Sequence, residues 1–256
     1  NIDYVTDIAR EYKKLCPSVP IWVGGPEVSY EVEAFLRENP YIDGVMIGEG
    51  EDTFRELCGY YAHKRELSDI AGIAFRKNST GNSTSNSKSV NNIGGNKAGE
   101  IVFTSPRPIK NMSEIPFCYD TLDDFSNRII YYESSRGCPF SCSYCLSSVD
   151  KTLRFRDTEI VKRELKFFID QKVPQIKFVD RTFNCNHAHA MELWRFIKAN
   201  DNGVTNFHFE ISADLLNQEE LELISDMRPG LIQLEIGVQS TNEVTIKEIH
   251  RTMKLE

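Results

Sequence analysis

Apolar positions in the first part of the chain alternate between helical and strand spacing. A helical spacing covers 4–15, and short apolar runs at 20–23 and 42–47 predict strands. A helix capped by Ser29 is predicted between the two strands, and another helix follows the second strand as far as Tyr61. Strands separated by helices of about a dozen residues predict a parallel, doubly wound sheet.

The stretch 66–128 lacks this regular alternation. Apolar pieces at 70–76 and 100–104 predict a hairpin. Between them, 78–99 consists almost wholly of Ser, Thr, Asn, Gly and Lys, which cannot bury enough apolar surface to offset the entropy of the chain. We therefore expect a disordered insertion there. The proline-containing stretch 105–127 predicts an extended linker.

The alternation resumes with a longer period from residue 129 to residue 256. Strands are predicted at 129–135, 175–180, 206–212 and 231–237, and helices near 157–171, 187–200, 217–227 and 241–250. Four β/α units at this spacing predict a partial barrel of the TIM type. In such barrels the reactive groups gather at the C-terminal ends of the strands. The predicted fold class is thus α/β throughout.

Composition narrows the class of protein. Hydrophobic residues make up 40% of the 256, and no apolar run approaches the roughly 18 residues that cross a bilayer. The opening residues lack the pattern of a secretory signal. A net charge of −8 disfavours nucleic acid as a partner. Seven cysteines without an export signal favour a metal or redox site over disulfides, which predicts a cytoplasmic protein.

Three cysteines crowd together directly after the first predicted barrel strand. Cys138, Cys142 and Cys145 have the spacing C-x-x-x-C-x-x-C. Thiolates are the usual protein ligands of iron–sulfur clusters, and a short loop with this spacing can wrap one face of a cubane. Three ligands leave one iron of a four-iron cluster open, as a metal that binds substrate requires.

A zinc site is the alternative for these cysteines. Zinc requires four ligands, so Cys185, His187 or His189 would have to complete the site. These residues lack a paired C-x-x-C or H-x-x-x-H spacing. The two histidines, two positions apart, cannot share a helix face, and we expect them on the surface at the start of a helix.

With Tyr144 immediately before the last cysteine, the loop resembles the signature of the radical S-adenosylmethionine superfamily. The resemblance implies a four-iron four-sulfur cluster held by the three cysteines, with S-adenosylmethionine chelating the open iron. One electron, supplied by a partner such as flavodoxin or ferredoxin, then cleaves the sulfonium to a 5′-deoxyadenosyl radical. The resemblance also implies that the backbone near Tyr144 contacts the adenine. No catalytic side chain is predicted.

Further cofactor contacts are implied at the ends of the later strands. Asp180 and Arg181 stand where the family carries a glycine-rich segment that meets the methionine part of the cofactor. Glu210 resembles a glutamate that binds cofactor hydroxyls in the coproporphyrinogen-oxidase-like branch. Gln239 and Arg251 resemble pocket residues of that branch and of methylthiotransferases. A local ion pair of Asp180 with Arg181, a solvent-facing Glu210 and a solvated Arg251 are the alternatives.

Glycines follow both predicted strands of residues 1–65. Gly24, Gly25, Gly48 and Gly50 resemble the later half of the Rossmann-like cobalamin-binding domain that precedes many radical S-adenosylmethionine barrels. The resemblance implies that they flank the nucleotide tail of cobalamin, across the edge of a doubly wound sheet. Turn glycines of any flavodoxin-like fold are the alternative. The D-x-H-x-x-G motif of the family is absent from the sequence, which leaves open whether cobalamin binds.

The resemblance implies a radical S-adenosylmethionine enzyme that transfers a methyl group, through cobalamin, to a small molecule or peptide. Ring contraction and cyclisation occur in related branches. Cys16, Cys58 and Cys118 are too dispersed for the second cluster of a transfer-RNA methylthiotransferase. An iron–sulfur electron-transfer module or a zinc module without radical chemistry is the alternative. Four barrel strands where six are expected predict an internal fragment of a longer protein, and the sequence does not identify the substrate.

Overall fold

The computed structural model describes residues 2–77, 99–119, 121–122, 125, 128–148, 152–251 and 253. The predicted disordered insertion at 78–99 lies outside these residues, apart from Gly99. The chain divides into two units, 1–110 and 111–256, and each is described by itself. None of the helices in the described ranges has the length and hydropathy of a membrane span.

The first unit is a four-stranded sheet with helices. Its elements are α1 (Ile2–Leu15), β1 (Trp22–Gly24), α2 (Val32–Glu38), β2 (Gly44–Met46), α3 (Gly50–Tyr61), β3 (Ile73–Arg76) and β4 (Ile101–Phe103). The strand order is β1-β2-β3-β4, in which β1 and β2 are parallel. The predicted hairpin forms β3 and β4 and pairs antiparallel with β2, so it continues this sheet. A two-stranded hairpin alone is marginal in water, and this pairing buries its apolar residues.

Helices cover both faces of this sheet. Val45 and Ala74, paired across β2 and β3, are fully buried in a cluster with residues of α1 and α2. The next pair along the strands, Met46 and Ile73, packs with Leu57 of α3 instead. Successive side chains of a strand point to opposite faces, so the two clusters lie on opposite sides of the sheet. The doubly wound architecture is confirmed.

The helix after β1 begins later than predicted. Residues 26–28 form a 3-10 turn, and the helix starts at Val32 with Glu31 at its cap position. The hydroxyl of Ser29 donates to the carbonyl of Gly25 at 2.7 Å, so it closes this turn and does not cap the helix. Pro26 fixes its own φ and favours the start of a turn at this point.

The second unit is built around a parallel sheet whose strands alternate with helices along the chain. Its elements are β5 (Ile130–Tyr132), β6 (Ser135–Arg136), β7 (Arg154–Phe155), α4 (Thr158–Asp170), β8 (Gln175–Phe178), α5 (His187–Ala199), β9 (Asn206–Ile211), α6 (Gln218–Ser225), β10 (Ile232–Ile236) and α7 (Glu243–Glu248). The strand order is β5-β8-β9-β10, all parallel. The predicted β/α units are confirmed. A short antiparallel pair, β6 with β7, lies apart from this sheet.

One face of the parallel sheet is apolar and the other is polar. Phe207, Phe209 and Ile211 of β9 are buried in the core of the unit, which includes the fully buried Trp194 of α5. The intervening residues of β9, at 206, 208 and 210, are polar and only partly buried. Helices therefore cover the first face, and the second face is left for polar groups.

A buried ion pair joins the segment before β5 to this unit. Arg156 and Glu164 are 6% and 4% exposed, with a shortest nitrogen–oxygen distance of 2.6 Å. The same guanidinium donates to the carbonyls of Met112 and Ile115, at 3.2 and 2.8 Å. Tyr132 donates its hydroxyl to Glu164 at 2.6 Å. Burial of an ion pair is tolerated only when its remaining hydrogen bonds are made, and residues 112–115 supply two of them.

Candidate cofactor site

The cysteine loop leaves the end of β6 and returns to β7. Gly137 lies between β6 and the first cysteine with φ at +96°. A Cβ there would lie 2.6 Å from the carbonyl oxygen of Thr152, so only glycine fits at this crossing of two backbones. The base of the loop is thereby fixed by the pairing of β6 with β7.

The three cysteines of the loop lie close to the surface of the barrel mouth. Cys138 and Cys142 are 8% and 7% exposed, and Cys145 is partly buried. The backbone N–H of Cys145 donates to the carbonyl of Cys142 at 3.1 Å, which curls the second half of the loop. The N–H of Ser143 donates to the carbonyl of Ile249 at 2.9 Å, so the end of α7 supports this half.

The loop faces a pocket at the C-terminal ends of β8, β9 and β10. Its lining residues are Phe140, Cys142, Tyr144, Cys145, Arg181, Thr182, Glu210, Ile211, Ser212, Glu235, Gly237, Gln239 and Arg251. Five of the six residues at which we predicted cofactor contacts in this unit therefore line one pocket: Tyr144, Arg181, Glu210, Gln239 and Arg251. Asp180 is not among the lining residues.

A larger groove of about 680 Å³ lies between α4, α5 and α6, against about 230 Å³ for the pocket at the cysteine loop. Its charged residues are paired with one another, Lys162 with Glu192 and Arg195 with Glu219. The groove lies on the helical side of the unit, away from the strand ends and the cysteines. We assign the cofactor site to the smaller pocket because the thiols line it.

Arg251 joins three parts of the pocket wall. Its guanidinium donates to the hydroxyl of Tyr144 at 3.0 Å and to the carbonyl of Gly237. Its Nε is buried without a hydrogen-bond partner among the described residues. Gln239, after β10, has a positive φ of +64°. A guanidinium in this position can fork onto a carboxylate, as the predicted contact with S-adenosylmethionine requires.

Glu210 belongs to a row of charges on the polar face of the sheet. Lys177 Nζ lies 3.5 Å from Glu210 and 3.0 Å from Glu235. His208 Nε2 is 3.0 Å from Glu235. The hydrogen bond from Lys177 lowers the pKa of the Glu235 carboxyl. Glu210 therefore has a cationic neighbour beside the pocket and is not simply a solvent-facing residue.

Asp180 has a different position from the one that we predicted. Its side chain is fully buried, and its carboxylate accepts the N–H of Ser134 at 3.0 Å, the Ser134 hydroxyl at 2.8 Å and the Ser135 hydroxyl. Burial raises the pKa of Asp180 to about 6. A side chain directed into the protein in this way does not reach the pocket, so a direct cofactor contact by Asp180 is not proposed further.

His189 was expected on the surface, and this expectation is wrong. The residue is 5% exposed, and its Nε2 lies 3.1 Å from the hydroxyl of Ser134. Burial lowers the pKa of His189 to about 4, so the ring is neutral near pH 7. A helix start carries surface residues only on the side away from the barrel, and His189 occupies the inner side. His187, on the outer side, is about half exposed and pairs with Glu220 at 2.9 Å.

Two residues that sequence reasoning missed lie in the same segment. Thr182 is buried, with its hydroxyl 3.8 Å from the sulfur of Cys138. Asn184 is fully buried and exchanges two hydrogen bonds with the backbone of Ser212, at 2.9 and 3.0 Å. Alternate polar residues after a strand were the available signal. Their burial depends on partners more than twenty positions away.

The cysteines fit a cluster better than a single metal ion. Among the described residues, no three side chains of His, Cys, Asp or Glu converge as ligands of one ion must. In a cubane each thiolate binds its own iron, so such convergence is not required. Both histidines of the zinc alternative have other partners, Glu220 and Ser134. The pKa of the Cys185 thiol is raised to about 11, mainly by burial and to a smaller extent by the nearby Cys138.

The glycines of the first unit lie at one edge of its sheet. Because β1 and β2 are parallel, their C-terminal ends, followed by Gly25 and Gly48, share this edge. A Cβ built at Gly25, Gly48 or Gly50 would meet no atom within 4 Å. A Cβ at Gly24 would lie 3.3 Å from the carbonyl of Met46, within the sheet. The open space at three of the four positions fits a ligand that lies across the strand ends, as the cobalamin prediction requires.

Comparison with protein families and known proteins identifies both units. A model described as the radical SAM superfamily matches residues 132–256, and one described as the B12 binding domain matches residues 1–58. An uncharacterized methyltransferase of Pyrococcus horikoshii is 33% identical over 201 residues, covering 75% of this chain and 39% of that protein. An anaerobic magnesium-protoporphyrin IX monomethyl ester cyclase of Synechocystis is 24% identical over 249 residues, covering 93% of this chain and 45% of that protein.

A solved structure shows the same fold. The cobalamin-dependent S-adenosylmethionine radical enzyme OxsB, with aqua-cobalamin and S-adenosylmethionine bound, matches with a TM-score of 0.70 at 18% identity. The match covers 98% of this chain and 36% of that one, so the chain spans less than half the length of these proteins. The family uses a four-iron four-sulfur cluster and S-adenosylmethionine, and the B12-binding match adds cobalamin, which confirms the predicted cofactors. The chain belongs to the radical S-adenosylmethionine superfamily, in the branch that also carries a B12-binding domain.

Proposed function

We propose that this chain is the cofactor-binding part of an enzyme that cleaves S-adenosylmethionine reductively and transfers a methyl group. The observation that supports the proposal is that the cysteine loop, including Tyr144, lines one pocket together with Glu210 and Arg251. Cys138, Cys142 and Cys145 would hold the cluster, whose electron breaks the sulfonium bond. An external donor such as flavodoxin or ferredoxin would supply that electron.

The pocket side chains would orient the nucleoside and the amino acid of S-adenosylmethionine. Glu210, about a third exposed, can accept hydrogen bonds from two vicinal hydroxyls, as a ribose presents them. Arg251, which lines the same pocket, can donate to a carboxylate. Lys177 Nζ, 3.5 Å from Glu210, places a cation beside that carboxylate, and a carboxylate group only accepts hydrogen bonds. The two residues thus discriminate the hydroxyl end of the ligand from its carboxylate end.

Methyl transfer is favoured by the first unit and by one relative. A Cβ at Gly25, Gly48 or Gly50 would meet no neighbouring atom within 4 Å, and a cobalamin bound along this edge would supply the methyl group to the substrate. The relative with 33% identity over 75% of this chain is named as a methyltransferase. The substrate would be a small molecule or a peptide.

Radical cyclisation is the second candidate function. The relative from Synechocystis is named as a cyclase and matches 93% of this chain. The same cluster and S-adenosylmethionine site would serve this reaction, because the site produces the radical and does not choose its use. The two functions differ in whether a methyl group leaves S-adenosylmethionine.

Product analysis on the full-length protein separates the candidates. The protein would be reconstituted without oxygen with iron, sulfide and cobalamin, then incubated with S-adenosylmethionine and a reductant. A methyltransferase should yield both 5′-deoxyadenosine and S-adenosylhomocysteine, because the transferred methyl leaves the homocysteine product behind. 5′-Deoxyadenosine alone would favour cyclisation. Neither product, from a sample that contains the cluster, would contradict radical chemistry altogether.

Gly50→Val tests the proposed cobalamin edge. Gly50 begins α3 with ordinary backbone angles, and its surroundings are open, so valine should leave the fold intact. A ligand lying on this edge would instead meet the new side chain, and we expect cobalamin affinity to fall about tenfold or more. Absorbance titration of the full-length protein measures the affinity. Gly59→Ala, in the same helix, is the matched control. Equal cobalamin affinity of the two variants would show that cobalamin does not bind at the edge that contains Gly50.

A further inference from the structure

The segment from Asp180 to Asn184 contributes Arg181 and Thr182 to the wall of the pocket. Its alternate residues Asp180, Thr182 and Asn184 are 0%, 8% and 0% exposed. Arg181, between them, is exposed and lines the pocket. A segment with three buried polar side chains after a barrel strand must satisfy their hydrogen bonds within the protein. The partners of these side chains show what the segment holds in place.

Asp180 holds the strand that leads into the cysteine loop. Its partners, Ser134 and Ser135, precede Cys138 by four and three positions. The carbonyl of Ser134 accepts the N–H of Arg156 at 2.8 Å, so this residue is bonded on two sides. Gly137 then crosses the backbone at Thr152 without room for a side chain. The entry to the loop is thus fixed by hydrogen bonds at Ser134 and Ser135 and by the close crossing of two backbones at Gly137.

The chemistry of this contact requires a carboxylate. Three donors converge on Asp180: one backbone N–H and two hydroxyls. An ionised carboxylate accepts with both oxygens and donates nothing, so it can satisfy all three. An asparagine of the same shape would place an NH₂ group against at least one of these donors. The buried site would then contain opposed donors, which is costly where water cannot enter.

The same segment reaches the first cysteine directly. Thr182, two residues after Asp180, places its hydroxyl 3.8 Å from the sulfur of Cys138. Asn184 fixes the far end of the segment through Ser212, at the end of β9. A displacement of Asp180 would therefore move both the entry to the loop and a neighbour of its first thiol.

We propose that Asp180 is a positioning residue for the cysteine loop: it holds Ser134 and Ser135 so that Cys138 and Cys142 are set for the cluster. It acts through the two serines and does not touch the cofactor. The inference rests on the proposed function, because the loop is the proposed cluster site. Whether Asp180 holds the loop in place can be tested in protein without a cluster.

The first test compares thiol reactivity in the metal-free full-length protein. Asp180→Asn should speed alkylation of Cys138 and Cys142 about tenfold, because losing hydrogen bonds to a charged group of this kind frees the loop. The exposed Cys58 in the first unit is the internal reference and should not change. Peptide mass spectrometry resolves the rates at each cysteine. Asp157→Asn is the matched control, because Asp157 caps α4 and asparagine caps helices equally well.

The second test uses the reconstituted protein. Asp180→Asn should still take up a cluster, since its three cysteines are present, but with a broadened electron paramagnetic resonance signal. The concentration of S-adenosylmethionine that produces half of its spectral change should be about tenfold higher in Asp180→Asn than in the unaltered protein, as expected if the open iron is displaced. Asp157→Asn should match the unaltered protein in both measurements. A merely structural role for Asp180 would lower the thermal midpoint and leave both spectra unchanged.

Ser135→Ala covers the case in which Asp180→Asn does not fold. It removes one hydroxyl and should increase the reactivity of Cys138 in the same direction. Unaltered thiol rates and spectra in the folded variants would overturn the positioning role. If the unaltered protein binds no cluster, the proposed function is contradicted. The alkylation rates of the thiols would still show whether Asp180 holds the loop.

Discussion

Replacing Cys142 by alanine should abolish the formation of 5′-deoxyadenosine. The two remaining thiolates of the loop, from Cys138 and Cys145, can hold only two irons of a cubane, so the cluster should not persist. We expect iron to fall from about four atoms per chain to below one, and product to fall below detection. The measurement is iron and sulfide analysis with product chromatography, on oxygen-free protein containing S-adenosylmethionine and a reductant.

Cys58→Ala is the control for this prediction. Cys58 is exposed in the first unit and has no place in the proposed cluster. This variant should keep both iron and product at the level of the unaltered protein. Continued product formation by Cys142→Ala would contradict the role of the loop. One zinc per chain in the unaltered protein, with no iron after reconstitution, would favour the zinc alternative.

Asp180 and His189 should give opposite contributions to the pH dependence of stability. Both contact Ser134, and charges also act on them from Glu133, which raises the pKa of Asp180, and from Glu192, which raises the pKa of His189. The pKa of Asp180 is raised from 3.8 to about 6, so its folded form retains a proton that the unfolded chain has lost. Its contribution therefore falls as pH rises between these values. The pKa of His189 is lowered from 6.5 to about 4, so its contribution rises with pH.

The two contributions nearly cancel, and single variants should reveal each of them. Asp180→Asn should gain about 2 kcal/mol relative to the unaltered protein between pH 4.5 and 6, because the falling term is removed. His189→Gln should lose about 2 kcal/mol over the same interval. Urea unfolding of the metal-free proteins, followed by circular dichroism, measures these differences. Three parallel curves would show that neither group changes its protonation on folding.

The repeating part of the fold could be predicted from the sequence. The apolar spacing around 129–250 is regular, and a helix follows each strand of the parallel sheet before the next strand of that sheet or the end of this range. Parallel strands end at the same edge, and the three predicted residues at the ends of β8, β9 and β10, namely Arg181, Glu210 and Gln239, all line the pocket. Such local rules apply wherever the same strand-and-helix pattern is repeated along the chain.

The errors concern residues whose environment is set by distant partners. Asp180 resembles an exposed residue at a barrel mouth, but two serines more than forty positions earlier draw it into the protein. His189 is buried against Phe155 and Phe183, which local spacing does not reveal. Ser29 bonds back to Gly25 across the 3-10 turn at Pro26–Val28 instead of capping the next helix, because Pro26 favours the start of a turn there. A useful signal was the pair of serines before the loop, opposite an aspartate at the end of the adjacent strand.

The ion pair of Arg156 with Glu164 has a consequence for where the second unit starts. Its first strand begins at Ile130, yet two acceptors of the Arg156 guanidinium are carbonyls of Met112 and Ile115. A protein shortened to its strands and helices would leave a buried positive charge short of acceptors at its centre. The barrel thus depends on a stretch of irregular chain, and any separate expression of this half should retain residues from 111 onward.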